Sequence, residues 1–412
     1  MQLSSRARAP VLPWLRAARP CRPPSRGFRP VALAVLLAPL IVWLAGHVAL
    51  AESTAQRAAL SQQQALQKKH NESALMILGG YPGTTYFGIA HDIAAALGGG
   101  DGLRLVAVDA AGGTESLRDL LLLRGIDLAL VPANALVYAN AAGIFGTGLQ
   151  DRMTYVTQLY GEELHILVGP GTGSFENLRG KKIAVPPEDG NAEFTIRDLL
   201  QRLHVEAEVV KVAATDAVDQ VRAGTLAALV LMGGKPMRFV AGLPKDGSLR
   251  LLPVPSSQAL EDAYSLAGFR SDDYPALIPG GQTIDTVSVN AVMVANNTAK
   301  WEDSSRRVAR FVPAFFGALS ELVGPQRHPK WGEVNLAAPL AGWSRTPAAK
   351  DWLDQTKQEQ SASVQKVFDD FLRASSTPGA PPPSPKERRQ LFEEFVKWTR
   401  GSTGSPNPAV RP

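Results

Sequence analysis

Four short loops carry residue types from which a binding site for a small molecule could be built. They are rich in Gly, Thr, Pro and Asn, and each follows a short apolar run. Where such a loop opens a helix, backbone N–H groups without a partner can hold an anion or a carboxylate. Taken singly, each loop is also what an ordinary turn with a helix cap looks like. The loops are residues 79–85, 110–116, 186–191 and 233–236.

The spacing of the glycines, serines and histidines excludes several other kinds of site. There is no Gly-x-Gly-x-x-Gly motif, and no lysine follows the glycines of the first loop, so neither a dinucleotide fingerprint nor a P-loop is present. No Gly-x-Ser-x-Gly elbow occurs, and no two histidines have metal-ligand spacing. We therefore predict a protein that is not an enzyme and has no metal or cofactor. A catalytic alternative would depend on Glu115, Glu193 or Lys235.

Two adjacent acids, Glu162 and Glu163, form a candidate carboxylate pair. Adjacent residues of an extended segment point to opposite faces, so the two groups cannot share one reacting atom. We expect both side chains at the surface.

The elements that must position the loops alternate between short apolar runs and helical patterns from residue 74 to about residue 268. Such alternation is typical of βαβ units and predicts an α/β fold with mostly parallel strands. The predicted strands are residues 75–78, 103–108, 126–131, 163–169, 182–185, 207–212 and 226–232.

Two stretches of the chain share one layout. Residues 114–131 and 215–231 each read as a threonine cap, a helix, a glycine that ends the helix, and a buried strand. One interpretation is a pair of similar halves with a ligand cleft between them. The alternative is two unrelated α/β units of a common type.

The charge of the chain is concentrated at its N-terminus. The formal net charge is +5, but seven of the 43 basic residues and none of the 38 acids lie in residues 1–51. The remainder is close to neutral, which gives no electrostatic reason to expect nucleic-acid binding.

Residues 31–51 form an uncharged apolar run that is long enough to cross a bilayer as a helix. Ala49 and Ala51 give the small-x-small pattern of a signal-peptidase site, whereas the long leader favours a retained anchor. Both alternatives place the rest of the chain in the periplasm or elsewhere outside the cytoplasm. The single cysteine, Cys21, precedes the run, so the exported part has no thiol.

The order and spacing of these motifs resemble the TAXI-type extracytoplasmic solute receptors of TRAP transporters. The resemblance implies an α/β, two-lobed type II periplasmic binding-protein-like fold with a ligand cleft between the lobes. The matching stretches are residues 83–87 (GTTYF), 112–117 (GGTESL), 126–131 (IDLALV), 174–185 (SFENLRGKKIAV), 233–236 (GGKP) and 339–343 (PLAGW).

Composition and the resemblance together predict an organisation of the chain. By composition, residues 1–51 are a signal peptide or N-terminal membrane anchor and residues 52–73 are a polar stalk, and both lie outside the family pattern. The resemblance implies the two lobes. Lobe one consists of residues 74–158 and 285–353, and lobe two of residues 159–284. Residues 354–412 are a helical and proline-rich extension that is foreign to the family pattern.

The ligand contacts implied by the resemblance fall on the four loops and on one asparagine beyond them. With the neighbouring loop residues, the predicted ligand-binding set is Gly83, Thr84, Thr85, Tyr86, Gly113, Thr114, Glu115, Ser116, Asn134, Asp189, Gly190, Asn191, Gly234 and Lys235.

The expected ligand is a small polar or anionic molecule, with an organic acid or an amino acid as the candidates. Asp189 and Glu193 in the third loop should repel a carboxylate, which weighs against that class. The expected partners are membrane transporter subunits. The alternative is a membrane-tethered sensor or assembly module with the same fold, a sensory partner and no role in transport.

Overall fold

The computed structural model describes residues 56–98, 102–298, 302–375 and 384–402. The chain divides into two compact units, Met1–Gln67 and Lys68–Pro412. In the first unit the described residues, 56–67, are helical and exposed. The second unit is a mixed α/β structure built on a central sheet, so the predicted α/β class is confirmed.

The strands are those that the apolar runs predict, together with three more. All seven predicted strands are present, although the fourth begins well before residue 163. In chain order the strands are β1 (Ala74–Leu78), β2 (Arg104–Val108), β3 (Leu128–Pro132), β4 (Met153–Val168), β5 (Lys182–Val185), β6 (Glu208–Lys211), β7 (Ala228–Gly233), β8 (Arg250–Leu251), β9 (Ser265–Arg270) and β10 (Thr283–Asn296).

The helices lie between the strands and beyond the last one. Two 3₁₀ helices span Phe175–Leu178 and Pro329–Glu333. The α-helices described are α1 (residues 56–73), α2 (Thr85–Leu97), α3 (Gly113–Leu122), α4 (Ala133–Ala141), α5 (Leu149–Arg152), α6 (Gly190–Arg202), α7 (Ala214–Arg222), α8 (Arg238–Ala241), α9 (Gln258–Glu261), α10 (Glu302–Gly317), α11 (Leu319–Leu322), α12 (Pro347–Ser375) and α13 (Pro385–Ser402).

The sheet has two similar halves joined in its middle by two long strands. Its order is β2-β1-β3-β10-β4-β7-β5-β6. The first half, β2-β1-β3, and the second half, β7-β5-β6, are each parallel. The crossing strands, β4 and β10, pair antiparallel with each other and with β7 and β3 respectively. Only these antiparallel ladders connect the two halves within the sheet as described.

In each half, the strand next to the crossing strands is buried on both faces, and this is why its sequence is apolar without interruption. In β3, Leu128 and Leu130 face one apolar cluster, whereas Ala129 and Val131 face another. In β7 the residues alternate in the same way between two clusters of the second half. Each half therefore has helices on both faces of its sheet.

The repeated layout corresponds to helix α3 with strand β3 and to helix α7 with strand β7, at equivalent places in the two halves. The predicted threonine caps are wrong. The N-cap residues are Gly112 and Ala213, and Thr114 and Thr215 lie inside their helices. The chain enters each helix earlier than the capping pattern suggested, and Ser116 accepts a hydrogen bond from the backbone N–H of Gly112 at 3.1 Å.

Helices α12 and α13 pack against each other beyond the sheet. The ring of Phe368 lies 5.1 Å from that of Phe392 and 5.4 Å from that of Phe395. Helix α12 runs through residue 353, where the predicted lobe one ends.

None of the helices in the described part of the chain has the length and apolarity needed to span a bilayer. The apolar run of residues 31–51, predicted as a signal peptide or anchor, lies outside the described residues.

Candidate functional site

A cavity of about 390 Å³ opens where loops of the two sheet halves meet. The first half contributes the loop after β2 with the start of α3, and one face of α4. The second half contributes the loop after β5 with the start of α6, and the end of β6. We call this space the loop cavity. Its lining residues are Ala111, Gly112, Gly113, Thr114, Glu115, Asn134, Ala135, Tyr138, Pro187, Glu188, Gly190, Asn191, Glu193, Phe194, Arg197 and Lys211.

A larger depression of about 470 Å³ lies elsewhere, on α6 and the segment leading into β6. Its walls come from the second half alone, and none of the four predicted loops lines it. The loop cavity is the better candidate because it alone brings together distant segments that carry small polar residues.

Three helices begin at the loop cavity: α3 at Gly113, α4 at Ala133 and α6 at Gly190. Neither α3 nor α4 has a side-chain cap. In the second half, Asp189 caps α6 by accepting from Ala192 N. The positive ends of the three helix dipoles therefore lie beside the same space, which favours a ligand carrying negative charge or hydrogen-bond acceptors.

Two asparagine side chains in the cavity wall have polar atoms without a partner. Asn191 is 8% exposed, and its Oδ1 atom has no hydrogen bond within the described residues. Oδ1 of Asn134 also has no hydrogen bond within the described residues, while its Nδ2 atom donates to Thr195 Oγ1 at 3.2 Å. A buried acceptor without a partner costs free energy, and a ligand's donor would recover it once movement of the surrounding side chains opened a path to the atom.

Gly113 allows the two loops to approach each other this closely. A Cβ atom at this position would lie 2.8 Å from Oδ1 of Asn191, and the φ angle of 52° is unfavourable for other residues. The second and third predicted loops thus meet across the cavity through Gly113 and Asn191.

Glu193 does not face the cavity as an unpaired charge, whereas Glu188 is exposed in the cavity wall. Glu193 binds Arg197 (Nη2 to Oε1, 2.9 Å) and Lys211 (Nζ to Oε2, 2.5 Å). The hydrogen bond from Lys211 holds the pKa of Glu193 below its usual range. Two cations therefore offset the charge of Glu193, and the repulsion of a carboxylate by this loop stays a prediction.

Asp189 acts as a structural cap. Its Oδ1 accepts from Ala192 N at 2.9 Å and its Oδ2 from Met232 N at 3.2 Å, which ties the start of α6 to strand β7. Burial raises the pKa of Asp189 to about 6 against the hydrogen bonds that lower it.

The first and fourth predicted loops meet each other away from the cavity lining. Thr85 Oγ1 accepts from Gly234 N at 3.1 Å and donates to Gly234 O at 3.3 Å. Thr84 caps α2 by accepting from Phe87 N at 3.2 Å. These contacts join the start of α2 in the first half to the turn after β7 in the second half.

Tyr86 and Lys235 are also engaged in internal contacts. The Tyr86 hydroxyl donates to Oε2 of Glu162, and burial followed by the charge of Glu162 raises the pKa of Tyr86. The backbone N–H of Lys235 donates to Glu163 Oε2 at 2.9 Å, and its Nζ lies 3.2 Å from Asp273.

The predicted set thus separates into two groups. Gly113, Thr114, Glu115, Asn134, Gly190 and Asn191 line the loop cavity. Gly83, Thr84, Thr85, Tyr86, Ser116, Asp189, Gly234 and Lys235 do not.

The sequence analysis missed the aromatic and cationic residues of the cavity. The rings of Tyr138 and Phe194 lie 4.7 Å apart and join α4 to α6. Helical spacing could have indicated these residues, since Tyr138 follows Asn134 by four positions and Phe194 follows Asn191 by three.

The expectation for Glu162 and Glu163 is wrong. They are 1% and 4% exposed, on the crossing strand β4. Burial raises the pKa of both carboxyl groups. No pattern in the local sequence indicates this, because their partners lie far along the chain.

Within the described residues, no cluster of three or more His, Cys, Asp or Glu side chains is placed to hold a metal ion.

The family comparison identifies the group to which the chain belongs. Residues 77–311, more than half of the chain, match the model of the NMT1-like family, and the protein is therefore a member of that family. No curated protein matches the chain.

Solved structures show distant likeness only. The alkanesulfonate-binding protein from Xanthomonas axonopodis pv. citri bound to MOPS is 14% identical, with 82% of this chain and 96% of that chain covered and a TM-score of 0.37. An amino acid ABC transporter substrate-binding protein from Streptococcus pneumoniae bound to L-arginine is 13% identical, with 62% and 92% covered and a TM-score of 0.35. A structure described as a periplasmic transporter is 14% identical, with 69% and 93% covered and a TM-score of 0.41.

Proposed function

We propose that the protein is an extracytoplasmic solute-binding receptor that captures a small polar or anionic molecule between two lobes without changing it chemically. The lobes are residues 74–158 with 285–353, and residues 159–284. The finer proposal, from the resemblance to TAXI-type receptors, is that it serves a TRAP-type transporter. The single observation that carries the proposal is the loop cavity, which both sheet halves line.

The sheet topology supports a clamp. Two crossing strands in the middle of the sheet leave each half with its own parallel strands and helices, so a change in twist at β4 and β10 would move one half against the other. A ligand that contacts both halves would select the closed arrangement.

The size and chemistry of the loop cavity support a small ligand. A volume of about 390 Å³ lies near the lower end of the range for small-molecule sites. Three helix starts favour a carboxylate, whereas the charges of Arg197 and Lys211 are offset by Glu193, and Glu115 and Glu188 also lie in the wall. The unpartnered oxygens of Asn134 and Asn191 would accept hydrogen bonds from a ligand donor. An amino acid or an organic acid with a hydroxyl group satisfies both requirements.

Gly113, Thr114, Glu115, Asn134, Gly190 and Asn191 are the proposed ligand contacts from the predicted set. Tyr138, Phe194, Arg197 and Lys211 join them on the strength of their position in the cavity wall.

The proposed location depends on the sequence of residues 31–51. This apolar run directs the chain out of the cytoplasm, either as a cleaved signal peptide or as a retained anchor. N-terminal sequencing of the protein purified from its own host distinguishes the two, since cleavage after Ala51 leaves Glu52 as the first residue.

A second candidate function is a membrane-tethered sensor or assembly module. The pair of helices α12 and α13 supports it, because these helices have their own aromatic contacts at Phe368 beyond the sheet. Deletion of residues 375–412 separates the two functions. A transport receptor keeps its ligand and its uptake activity, whereas a sensor or assembly module loses contact with its partner.

Native mass spectrometry of the full chain purified from its own host tests the proposed function. We expect a co-purifying solute of small mass, which scattering measurements then show to compact the emptied protein. Asn134→Ala should lose this solute, whereas Asn140→Ala, on the same helix but outside the cavity lining, should retain it. Equal retention by both variants, or no compaction by any solute from the host's metabolite pool, contradicts the receptor.

A further inference from the structure

A buried lysine lies where the sheet changes from one half to the other. The side chain of Lys330 is 1% exposed, and its Nζ atom lies 2.5 Å from Glu163 Oε1 and 2.8 Å from Glu333 Oε1. The carboxylate of Glu163 is itself 5% exposed. Burial of charged groups is costly unless they are paired with good geometry, so this arrangement depends on all three groups being in place.

Lys330 is attached firmly to the first half through its neighbour. Trp331 is 1% exposed and belongs to the apolar cluster that includes Leu75 and Ile89. Its indole N–H donates to Asp92 Oδ2 at 2.8 Å, and its ring contacts that of Phe315. The 3₁₀ helix Pro329–Glu333 therefore moves with the first half.

Glu163 faces the second half. It is the residue of β4 at which pairing with β7 begins, opposite Gly233. Its Oε2 accepts the backbone N–H of Lys235 at 2.9 Å, in the turn after β7. One carboxylate thus binds the cation of the first half with one oxygen and the turn of the second half with the other.

The aliphatic part of Lys330 also contacts this turn. A Cβ atom on Gly234 would lie 2.8 Å from Cγ of Lys330 and 3.1 Å from Cγ2 of Thr85, so only glycine fits between them. Lys330 and Thr85, both attached to the first half, enclose the turn of the second half from two sides.

We propose that the Lys330–Glu163 ion pair is a latch that holds the two sheet halves in the closed arrangement. The inference rests on the proposed two-lobed receptor and adds Lys330, Glu163 and the turn at Gly234 as the residues that set its closing equilibrium. When the halves separate, the turn withdraws from Lys330 and water reaches both charges. The pair is a suitable latch because a buried ion pair is favourable in one geometry and not in those nearby. Lys330 is a positioning residue and does not line the loop cavity.

The test measures the distance between the halves in the full chain without any ligand. Spin labels at Arg124→Cys in the first half and Glu206→Cys in the second half, on a Cys21→Ser background, report this distance by pulsed electron resonance. Both sites are exposed. We expect Lys330→Met to shift the distance distribution to longer values.

A matched control removes a similar ion pair that lies within one half. Arg307 on α10 binds Asp127, which directly precedes β3, at 2.7 Å, with side chains that are 14% and 0% exposed. We expect Arg307→Met to lower the thermal midpoint and to leave the distance distribution unchanged. A shift of equal size in both variants would mean that the distance reports general loosening, and it would overturn the latch.

A second variant covers the case in which Lys330→Met does not fold. Glu163→Gln keeps an acceptor for Lys235 N and removes the charge, and it should give the same shift in direction. With a solute found by mass spectrometry, either variant should weaken binding by about tenfold, because part of the binding free energy is then needed to close the two halves. Unchanged distances in the folded variants overturn the latch while leaving the receptor intact. Failure to find any solute contradicts the receptor, and the distances measured without ligand still test the latch.

Discussion

The wall of the loop cavity and the crossing region of the sheet are built from the same kinds of residue but use them in opposite ways. At the cavity wall, Oδ1 of Asn134 and Oδ1 of Asn191 have no partner within the described residues. At the crossing region, Thr85, Tyr86 and Glu163 all bind another part of the chain. Both regions join the two halves. The groups that bridge them at the crossing region are satisfied within the chain, although the buried hydroxyl of Tyr160 on β4 has no partner within the described residues.

The difference shows that a clamp can use separate groups to hold its halves together and to recognise a solute. Groups that hold the halves together must be satisfied by the protein itself, because a buried polar group without a partner is costly. Groups that recognise a solute must stay unsatisfied until it arrives.

Asp189 is an exception to this division. It belongs to a loop of the cavity wall, but its carboxylate is hydrogen-bonded within the protein. Burial raises its pKa from 3.8 to about 6, so the folded protein holds this proton more tightly than the unfolded chain does. The contribution of Asp189 to stability is therefore full below pH 3.8 and is lost as the pH rises to about 6. The loss is on the order of 3 kcal/mol. Denaturant unfolding of the wild type and of Asp189→Asn across this range measures it, and the variant should lack this part of the decline.

Glu193, in the same loop, should affect the pH dependence of stability in the opposite direction. Its pKa is lowered by Lys211 and Arg197, so its contribution to stability is present above its usual value of 4.5 and is lost as the pH falls. Glu193→Gln should remove that loss. If both variants changed the pH profile in the same direction, the raised pKa of Asp189 would be refuted.

Matched threonines in the first and second loops test the difference between the crossing region and the cavity wall. Thr85→Val keeps the shape but leaves N–H and C=O of Gly234 without their partner, which should cost about 1–3 kcal/mol of unfolding free energy. Thr114→Val, in the cavity lining, should change stability by less than about 0.5 kcal/mol and weaken solute binding. Calorimetric unfolding and titration of both variants check this, and an exchange of the two outcomes would reverse the assignment of the regions.

Removal of the amide of Asn191 should affect binding and spare stability. Its Oδ1 atom has no partner to lose within the described residues, so Asn191→Ala should unfold no earlier than the wild type. Loss of one hydrogen bond to a solute should weaken binding by about tenfold. Asn191→Asp should weaken the binding of an anion further through repulsion, and titration calorimetry with the identified solute ranks the three proteins. Wild-type affinity in Asn191→Ala would remove this residue from the site.

The smallest effect on the body of the protein is expected from the pair of helices α12 and α13. Phe368 is fully buried between them, so Phe368→Ala should release α13 from α12. Hydrogen exchange should rise in residues 385–402 and stay unchanged in β3 and β7. Slower exchange in α13, or weaker solute binding, would show that this region is coupled to the clamp.

Local patterns were sufficient for some features. The alternation of apolar runs with helical patterns predicted the α/β class and all seven of the first strands along the chain, because the period of burial is written into neighbouring residues. The loops around Gly113 and Asn191 were also predicted to meet. The cations Arg197 and Lys211 were missed, since charged residues on a helix and at an edge strand have the pattern of a solvated surface.

Propensity, periodicity and turn chemistry act over a few positions, so local sequence specifies which segments form strands and helices and which loops carry small polar residues. Which of those residues remain available for a ligand depends on the folded sheet. The partner of Tyr86 lies 76 positions away, and the partner of Lys330 lies 167 positions away. Whether a hydrogen bond is left unmade depends on which distant groups the folded sheet brings within about 3 Å of it, and no local pattern contains that distance.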